Sequence, residues 1–273
     1  HVLRDSEDAK RLVMTIRQLA VQGGFKAGQD GQRPAQELVE AIAGERTQLY
    51  RARAIRKPKP TSPIQPQDIP FPLPRSWTWV RLGQLCFDVA DGPHFSPAYV
   101  DASRGVPFLS AGNIRSDRFL LDSLKYVSHE DHKKFSKRVR PERGDILYTK
   151  GGTTGVAKVN DLDFEFSVWV HVAVLKIAKK YANPDYVALA LNSPICYAQS
   201  QALTRGSSNR DLGLTRMIDI LLPLPPLETQ GAIASKAKHL MATVRTFESL
   251  ALAKDHLSDR LVSAIGKHAA SSA

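Results

Sequence analysis

Cysteine is scarce in this sequence, and long apolar runs are missing. Its two cysteines, Cys86 and Cys196, cannot build a disulfide framework and stand in no metal-ligand spacing. The longest apolar runs, such as 168–177, are too short to cross a bilayer, and the amino end has no signal-peptide pattern. These absences exclude a disulfide-stapled domain and a membrane-spanning protein, and we expect a cytoplasmic location.

Acidic residues are also in the minority. The sequence has 27 Asp and Glu against 38 Lys and Arg, a net charge of +11. An excess of this kind favours a polyanionic partner, with nucleic acid first, although a generic basic surface fits about as well. The segment 132–143 concentrates the charge, with six Lys or Arg against one Glu. It predicts a solvated basic face that lies along phosphates.

Glycine and proline divide the amino-terminal part into two regions. Residues 1–55 carry apolar side chains at helical spacing, interrupted at Gly23 and resumed after Pro34, which predicts a pair of helices or one bent helix. Residues 56–76 hold seven prolines, whose restricted φ and missing N–H donors predict an extended connector without regular structure.

A long helix is predicted at the other end of the chain. Residues 227–266 contain no proline and carry an apolar stripe, which predicts about 60 Å of helix at ~1.5 Å per residue, unless it breaks near Ser249 or Ser258. A helix of that length with one stripe needs a partner helix. We assign 223–268 to this helical region and 269–273 to a flexible tail. The predicted interface residues of both helical regions are Leu12, Ile16, Leu19, Leu240, Val244, Phe247, Leu250, Leu257 and Leu261.

Residues 77–222 follow a different pattern, with short β-branched and aromatic runs separated by Gly, Pro, Asn and Asp. This pattern predicts an α+β fold, rich in loops, with a twisted and mainly antiparallel sheet. The run 166–177 predicts a strand with Trp169 and His171 on one face, and a buried, hydrogen-bonded His171 is favoured over one that reads a base.

Two short helices are predicted within this domain from their starts. Ser128, with Asp131 three residues later, forms a capping box for a helix over 129–137. Pro184 suits the first turn of a helix over 184–191.

The sequence shows no catalytic constellation. Residues 183–186 (NPDY) differ by one residue from the NPPY motif of adenine methyltransferases, but no glycine-rich turn for S-adenosylmethionine precedes them, so a helix start is favoured. Residues 144–155 (GDILYTKGGTTG) lack the ending of a phosphate-binding loop and instead predict strand, tight turn and strand. His129 and His132 have weak metal spacing without a third ligand. We therefore expect no catalysis and no bound metal or cofactor.

The order of three segments carries a family resemblance. Residues 144–155 and 183–186, followed by 223–230 (PLPPLETQ) at the start of the long helix, resemble the target-recognition domain of a type I restriction-modification specificity subunit. One departure is Thr229, where the family usually has Glu, whereas Gln230 is kept. The resemblance extends to nearly the whole chain through the segments 16–23, 68–80 and 91–97 (DGPHFSP).

The resemblance implies a non-catalytic subunit that reads one half of a bipartite double-stranded DNA site. The flanking helices are then spacer helices that form an antiparallel, coiled-coil-like pair and dock the methylation subunits. Restriction subunits join through the complex. S-adenosylmethionine, ATP and Mg are expected on those partner subunits.

A full specificity subunit resembles two such units, whereas this chain holds one. A second unit is therefore expected in the same full-length chain or through homodimerisation of a natural half-subunit. Because residue 1 is His, a fragment or an engineered boundary is also expected. The alternative functions are the recognition fragment of a fused DNA methyltransferase or nuclease, and a helical adaptor that binds a methyltransferase without reading DNA.

The DNA-binding residues are predicted on polar loops and on the basic segment. In the loop 204–213, Arg205 and Arg210 suit guanine edges or phosphates and Asn209 suits adenine, although an ordinary polar turn fits about as well. For the segment 91–97, a structural role as a turn is sufficient to explain the motif without a DNA contact. The predicted contacts are Lys150, Thr153, Thr154, Arg205, Ser207, Ser208, Asn209, Arg210, Asn113, Arg115, Lys133, Lys134, Lys137 and Arg138.

Overall fold

The computed structural model describes residues 6–25, 33–207 and 210–271, and for 255–271 the backbone alone. Helices and strands alternate irregularly along the chain. The α-helices are α1 (Ser6–Val21), α2 (Ala35–Arg51), α3 (His129–Ser136), α4 (Pro184–Leu191), α5 (Pro194–Leu203), α6 (Leu214–Met217) and α7 (Leu227–Ser271). The strands are β1 (Thr78–Arg81), β2 (Cys86–Asp91), β3 (Val106–Leu109), β4 (Lys125–Val127), β5 (Ile146–Thr149), β6 (Ala157–Val159), β7 (Ser167–Val168), β8 (Val172–Ile177) and β9 (Leu221–Leu224).

The strands form small open sheets. The largest has the order β2-β8-β5-β6, a second has the order β4-β3-β7, and β1 pairs with β9. All these pairings are antiparallel except β3 with β7. The predicted mixture of helices with a mainly antiparallel sheet is therefore confirmed, with the strands divided among several sheets.

The central strand β5 separates two hydrophobic clusters. Its side chains alternate between faces, so that Ile146 and Tyr148 join the main core whereas Leu147 packs with a second cluster. The main core also includes Ala20 of α1 and Ile42 of α2. The amino-terminal helices are therefore part of the same core as the β-strands, although the proline-rich connector lies between them in sequence.

Both short helices form where their starts predict them. The Ser128 hydroxyl accepts a hydrogen bond from the Asp131 N–H at 3.1 Å, and α3 follows. At α4 the Asn183 side chain accepts from the N–H groups of Asp185 and Tyr186. The buried Tyr186 hydroxyl donates to the Pro223 carbonyl at 2.8 Å. The structural interpretation of the NPDY segment is thus confirmed.

Two expectations about regular structure are wrong. The run 166–177 is divided between β7 and β8, because these strands belong to different sheets and the chain turns between them, with Val172 N–H donating to the Trp169 carbonyl at 2.9 Å. The connector contains one 3-10 turn, Pro66–Asp68. Proline suits its first position, and the Asp68 carboxylate accepts from the Gln65 N–H at 3.1 Å.

The helix α7 is much longer than its partner within the chain. Its 45 residues extend about 68 Å, whereas the 16 residues of α1 extend about 24 Å. Helix α1 packs against α7, and the buried residues of α7 whose side chains are described lie near its start: Thr229, Gln230, Ile233, Ala234 and Ala237. The helix also continues to Ser271, so the predicted tail over 269–273 is helical in its first three residues, since no proline or glycine follows Gly266.

Several predicted interface residues are therefore exposed within this chain. Ile16 and Leu240 pack against the main core, but Leu19, Phe247 and Leu250 are 44%, 56% and 60% exposed. For Phe247 and Leu250 the reason is that α1 is too short to cover the distal part of α7. The assignment of these three residues to a helix interface stays a prediction. The side chains of Leu257 and Leu261 lie outside the described residues.

Candidate nucleic-acid interface

Three loops that follow β2, β5 and α5 meet at one edge of the domain. The loop after β5 hydrogen-bonds to the loop after α5, with Leu212 N–H donating to the Lys150 carbonyl at 2.7 Å and Gly152 N–H to the Arg210 carbonyl at 3.2 Å. The Lys150 N–H donates to the His171 carbonyl at 2.9 Å, which joins the start of β8 to the same group. These backbone bonds hold together segments that are far apart in sequence.

The turn within residues 149–156 has the predicted strand–turn–strand form. Thr149 N–H donates to the Val156 carbonyl at 2.9 Å, and Gly155 N–H to the Thr149 carbonyl at 3.0 Å. Gly152 and Gly155 have φ of 69° and 91°, the left-handed region that glycine adopts without a steric penalty. The prediction that glycine enables this turn is confirmed.

Asp91, at the end of β2, is the centre of a charged cluster. It is 1% exposed, and its carboxylate accepts hydrogen bonds from the Arg138 guanidinium and lies 3.2 Å from Nε2 of His94. The Lys150 ammonium lies 3.4 Å away. Burial by itself raises the pKa of Asp91, but the hydrogen bonds and the two cations outweigh it and hold the pKa below its ordinary value. The carboxylate is therefore ionised and paired.

Asp211 extends this cluster into the loop after α5. Its carboxylate lies 2.7 Å from Lys150 Nζ and 3.7 Å from the Arg216 guanidinium. Its backbone forms a two-way bridge with Arg205, at 2.9 and 2.8 Å. Lys150, which is 4% exposed, thus links two carboxylates and thereby two loops.

Two glycines allow the backbone segments to approach closely. A Cβ on Gly92 would lie 1.7 Å from the Val168 carbonyl oxygen, and one on Gly151 would lie 2.0 Å from Nδ1 of His171. This buried Nδ1 has no hydrogen-bond partner among the described residues and the residue as a whole is half-buried, so the prediction of a buried, hydrogen-bonded His171 is wrong. Burial first, and then the Lys150 charge, lower the pKa of His171, so the ring is neutral at pH 7.

The tip of the loop after α5 projects into solvent. Arg205, Ser207 and Arg210 are exposed, and the Arg210 guanidinium donates to Gln201 Oε1 at 3.0 Å. Ser208 and Asn209 lie outside the described residues. The exposed cations of this loop are therefore anchored by the buried cluster at its base.

Helix α3 adds a basic surface beside the loops. Phe135 is buried and packs against Phe108 at 6.1 Å between ring centroids and against the exposed Phe95 at 5.9 Å. This anchoring leaves Lys133 and Lys134 exposed, as the sequence predicts, whereas Nδ1 of His132 lies 2.9 Å from the Ser167 hydroxyl and the ring is largely covered. The exposed basic residues of the segment 132–143 are Lys133, Lys134, Lys137, Arg138, Arg140 and Arg143. Of these, Arg138 is committed to Asp91 through its side chain.

Three other predicted contacts are not at the surface. Lys150 and Thr154 are buried, because Lys150 precedes the turn and pairs with the carboxylates, and Thr154 accepts a hydrogen bond from Gln201 at 3.2 Å. Asn113 is also buried, where its side chain accepts from the Ser110 N–H at 2.9 Å. The expectation of an exposed position is wrong for these three. Thr153 and Arg115 are exposed.

Three residues of this site were not predicted from the sequence as contacts or as anchors of the loops: Asp91, Asp211 and His171. Asp91 lies in the DGPHFSP segment, so the resemblance marked its position without its role. Arg138 is 47 residues from Asp91, and Asp211 is 61 residues from Lys150. Separations of this kind leave no periodic signal, and a charged residue is by default assigned to the surface.

The described residues contain no metal-binding group of three His, Cys, Asp or Glu. Cys86 and Cys196 are buried, and burial raises the pKa of each thiol to about 12. No described helix is long and apolar enough to cross a bilayer.

Known proteins resemble this chain in sequence and in fold. The chain is 27% identical over 266 residues to the type I restriction enzyme EcoAI specificity subunit of Escherichia coli and 26% identical over 264 residues to the EcoEI specificity subunit. Each alignment covers 93% of this chain but 44% and 42% of the relative, so the chain spans less than half of their length. A solved chain of a type I R-M system has a TM-score of 0.54 at 19% identity, over 96% of this chain and 59% of that chain, which indicates a shared fold.

The family match covers the segments that build the interface. Residues 74–249 match the type I restriction modification DNA specificity domain, a range that includes the Asp91 cluster, α3 and the loop after α5. The chain belongs to the family of type I restriction modification DNA specificity domains.

Proposed function

We propose that this chain reads one half of a bipartite DNA site as the recognition part of a type I restriction-modification specificity subunit. The observation that carries the proposal is the loop after α5, which presents Arg205 and Arg210 to solvent from a base fixed by Lys150 and Asp211. A guanidinium carried by a rigidly held loop suits the edge of a nucleobase, because bidentate hydrogen bonding requires a defined position. The basic face of α3 suits phosphates on the same duplex.

The long helix supports a structural role in a larger assembly. Its exposed Phe247, Leu250 and Leu252 are apolar side chains that nothing in this chain covers among the described residues. We propose that the distal part of α7 pairs with the spacer helix of a second recognition unit, in the antiparallel arrangement that the resemblance implies, and that the helices dock methylation subunits. S-adenosylmethionine, ATP and Mg then act on partner subunits in the cytoplasm, and this chain is non-catalytic.

The proposal is tested by sequencing DNA from the source strain with and without this gene and scoring N6-methyladenine at every motif. Loss of methylation at one bipartite motif is expected and defines the target. An unchanged set of methylated motifs would contradict the proposal, provided that the methylation subunit is expressed.

The loop assignment has its own test once the target is known. The double variant Arg205→Ala and Arg210→Ala is expected to weaken binding to a target duplex by at least about 30-fold more than to a random duplex, since each bidentate base contact discriminates by about 1–3 kcal/mol. The matched control is Arg11→Ala with Arg75→Ala, two exposed arginines outside the loops. Equal losses on both duplexes would assign the arginines to phosphates, and no loss would remove the loop from the interface.

A further inference from the structure

A cavity of about 220 Å³ lies between the proline-rich connector, strand β2 and helix α6. Its volume is below the ~300–1,000 Å³ of sites for drug-sized ligands, so it suits a small group. The charged side chains that line it are strongly unbalanced. They are Arg46, Arg56, Lys57, Lys59, Arg138 and a single carboxylate, Asp88.

The cations of this cavity differ in how far they are already committed. Arg56 pairs with Asp88 at 2.6 Å, and Arg46 donates to the Gly83 carbonyl at 2.8 Å. Lys57 and Lys59 are exposed and make no hydrogen bond or ion pair with any described residue. Two uncommitted ammonium groups beside a cavity favour an anion as the occupant.

The rest of the lining narrows the kind of anion. Val89 of β2 and Leu214 and Ile218 at α6 contribute apolar surface. An inorganic phosphate has no apolar part to place against these side chains. A phosphodiester has one, because the deoxyribose carbons flank the charged group on both sides.

Arg138 connects the cavity with the interface at the loops. Its side chain lines the cavity and also hydrogen-bonds to Asp91, with Nε donating to the Asp91 carbonyl at 2.9 Å. Asp91 ends β2, whose residues 86–90 form one wall of the cavity. The cavity is therefore next to the surface that carries the recognition loops, so one polyanion can reach both.

We infer that the connector cavity binds a backbone phosphodiester of the same DNA, held by Lys57 and Lys59. The inference rests on the proposed function and adds a phosphate site outside the recognition loops. It assigns the connector a part in DNA binding, whereas its prolines alone predict a spacer. Such a contact raises affinity equally for every sequence and makes it depend on salt.

The double variant Lys57→Ala and Lys59→Ala tests the inference in the intact chain. Affinity for a random-sequence duplex is measured over a series of salt concentrations. Loss of one phosphate contact is expected to make the slope of log K against log salt shallower by roughly 0.9. A fourfold rise in salt is then expected to weaken binding by the variant by a factor that is about threefold smaller than the factor for the wild type. The matched control is Lys238→Ala with Lys254→Ala, two exposed lysines of α7, whose slope is expected to equal the wild-type slope.

Competition with inorganic phosphate separates the two sources of the anion. If the cavity takes a phosphodiester, millimolar phosphate leaves the difference between variant and wild type in place. An unchanged slope in the Lys57 and Lys59 variant overturns the inference. A second result also overturns the inference: inorganic phosphate stabilises the wild type but not the variant, and the two have the same slope. That result assigns the cavity to a free anion.

The outcome is distinguishable from failure of the proposed function. Discrimination between a target and a random duplex is measured on the wild type and tests that function. The slope difference uses the random duplex alone. A wild type that discriminates while the variant keeps its slope refutes the connector site and leaves the proposed function intact, and a wild type that does not discriminate refutes the function whatever the slopes are.

Discussion

Replacing Asp91 by Asn should destabilise the protein far more than its position at a loop suggests. The substitution keeps the size of the side chain but removes the charge that Arg138 and Lys150 face. In asparagine an NH₂ group also replaces one carboxylate oxygen. A hydrogen-bond donor then faces the donors of Arg138 and Lys150. Loss of one partner from a buried ion pair costs about 3–5 kcal/mol in general.

Two observations reduce this range for Asp91. Lys150 keeps a second carboxylate, that of Asp211 at 2.7 Å, and the Arg138 side chain is 46% exposed, so that water replaces part of the lost interaction. We therefore expect the free energy of unfolding to fall by about 2–3 kcal/mol. The control Asp122→Asn, at an exposed position, should change it by less than about 0.5 kcal/mol.

Urea unfolding at constant m-value provides the measurement. A dependence on pH gives a second, independent readout. Because the pKa of Asp91 is below its ordinary value of 3.8 in the folded state, the stabilisation is complete above that value and is lost as the pH falls through the folded-state pKa. The difference between wild type and Asp91→Asn should therefore be constant above pH 5 and shrink in acid. A variant as stable as Asp122→Asn at pH 7 would refute the role of Asp91.

Three further predictions follow from the packing around the interface and at the start of α7. Gly92→Ala should destabilise by about 1–3 kcal/mol in thermal unfolding, because its Cβ would lie 1.7 Å from the Val168 carbonyl oxygen. His171→Gln should flatten the pH dependence of stability below pH 6.5, since the lowered pKa of His171 makes the wild type lose stability as the pH falls and the unfolded chain takes up the proton. Gln230→Ala should cost about 1–3 kcal/mol in urea unfolding, because the buried Gln230 Oε1 accepts from the Asn183 N–H at 2.7 Å.

Matched substitutions separate these effects from general damage. Gly112→Ala places a Cβ 3.5 Å from its nearest neighbour, an ordinary contact, and should be nearly neutral. His239→Gln and Gln67→Ala change exposed residues and should leave the pH dependence and the unfolding midpoint as in the wild type. Equal effects in a variant and its control would contradict the corresponding prediction.

The sequence predicts the parts of this fold that local chemistry decides. Ser128 and Pro184 mark the starts of α3 and α4 because capping and proline geometry act within one turn of helix. The exposed Arg205 and Arg210 are also predictable, since a polar loop with glycine and serine lies at the surface.

Long-range pairing explains what the sequence analysis missed. Nothing near Lys150 in the sequence indicates that its charge is buried between Asp91 and Asp211, because both partners come from other loops. Phe247 is a second case, where the apolar stripe is present but α1 is too short to cover this part of α7. Tertiary geometry decides these cases.

The buried charged cluster separates the part of each loop that bears stability from the part that we propose meets DNA. Asp91, Lys150 and Asp211 hold the loop bases, whereas the exposed Thr153, Arg205, Ser207 and Arg210 belong to none of the core clusters. Tip residues can therefore be exchanged at little cost in folding free energy. If the tips read DNA as we propose, a library randomised at the tips, with Asp91, Lys150 and Asp211 kept, is the practical route to altered specificity.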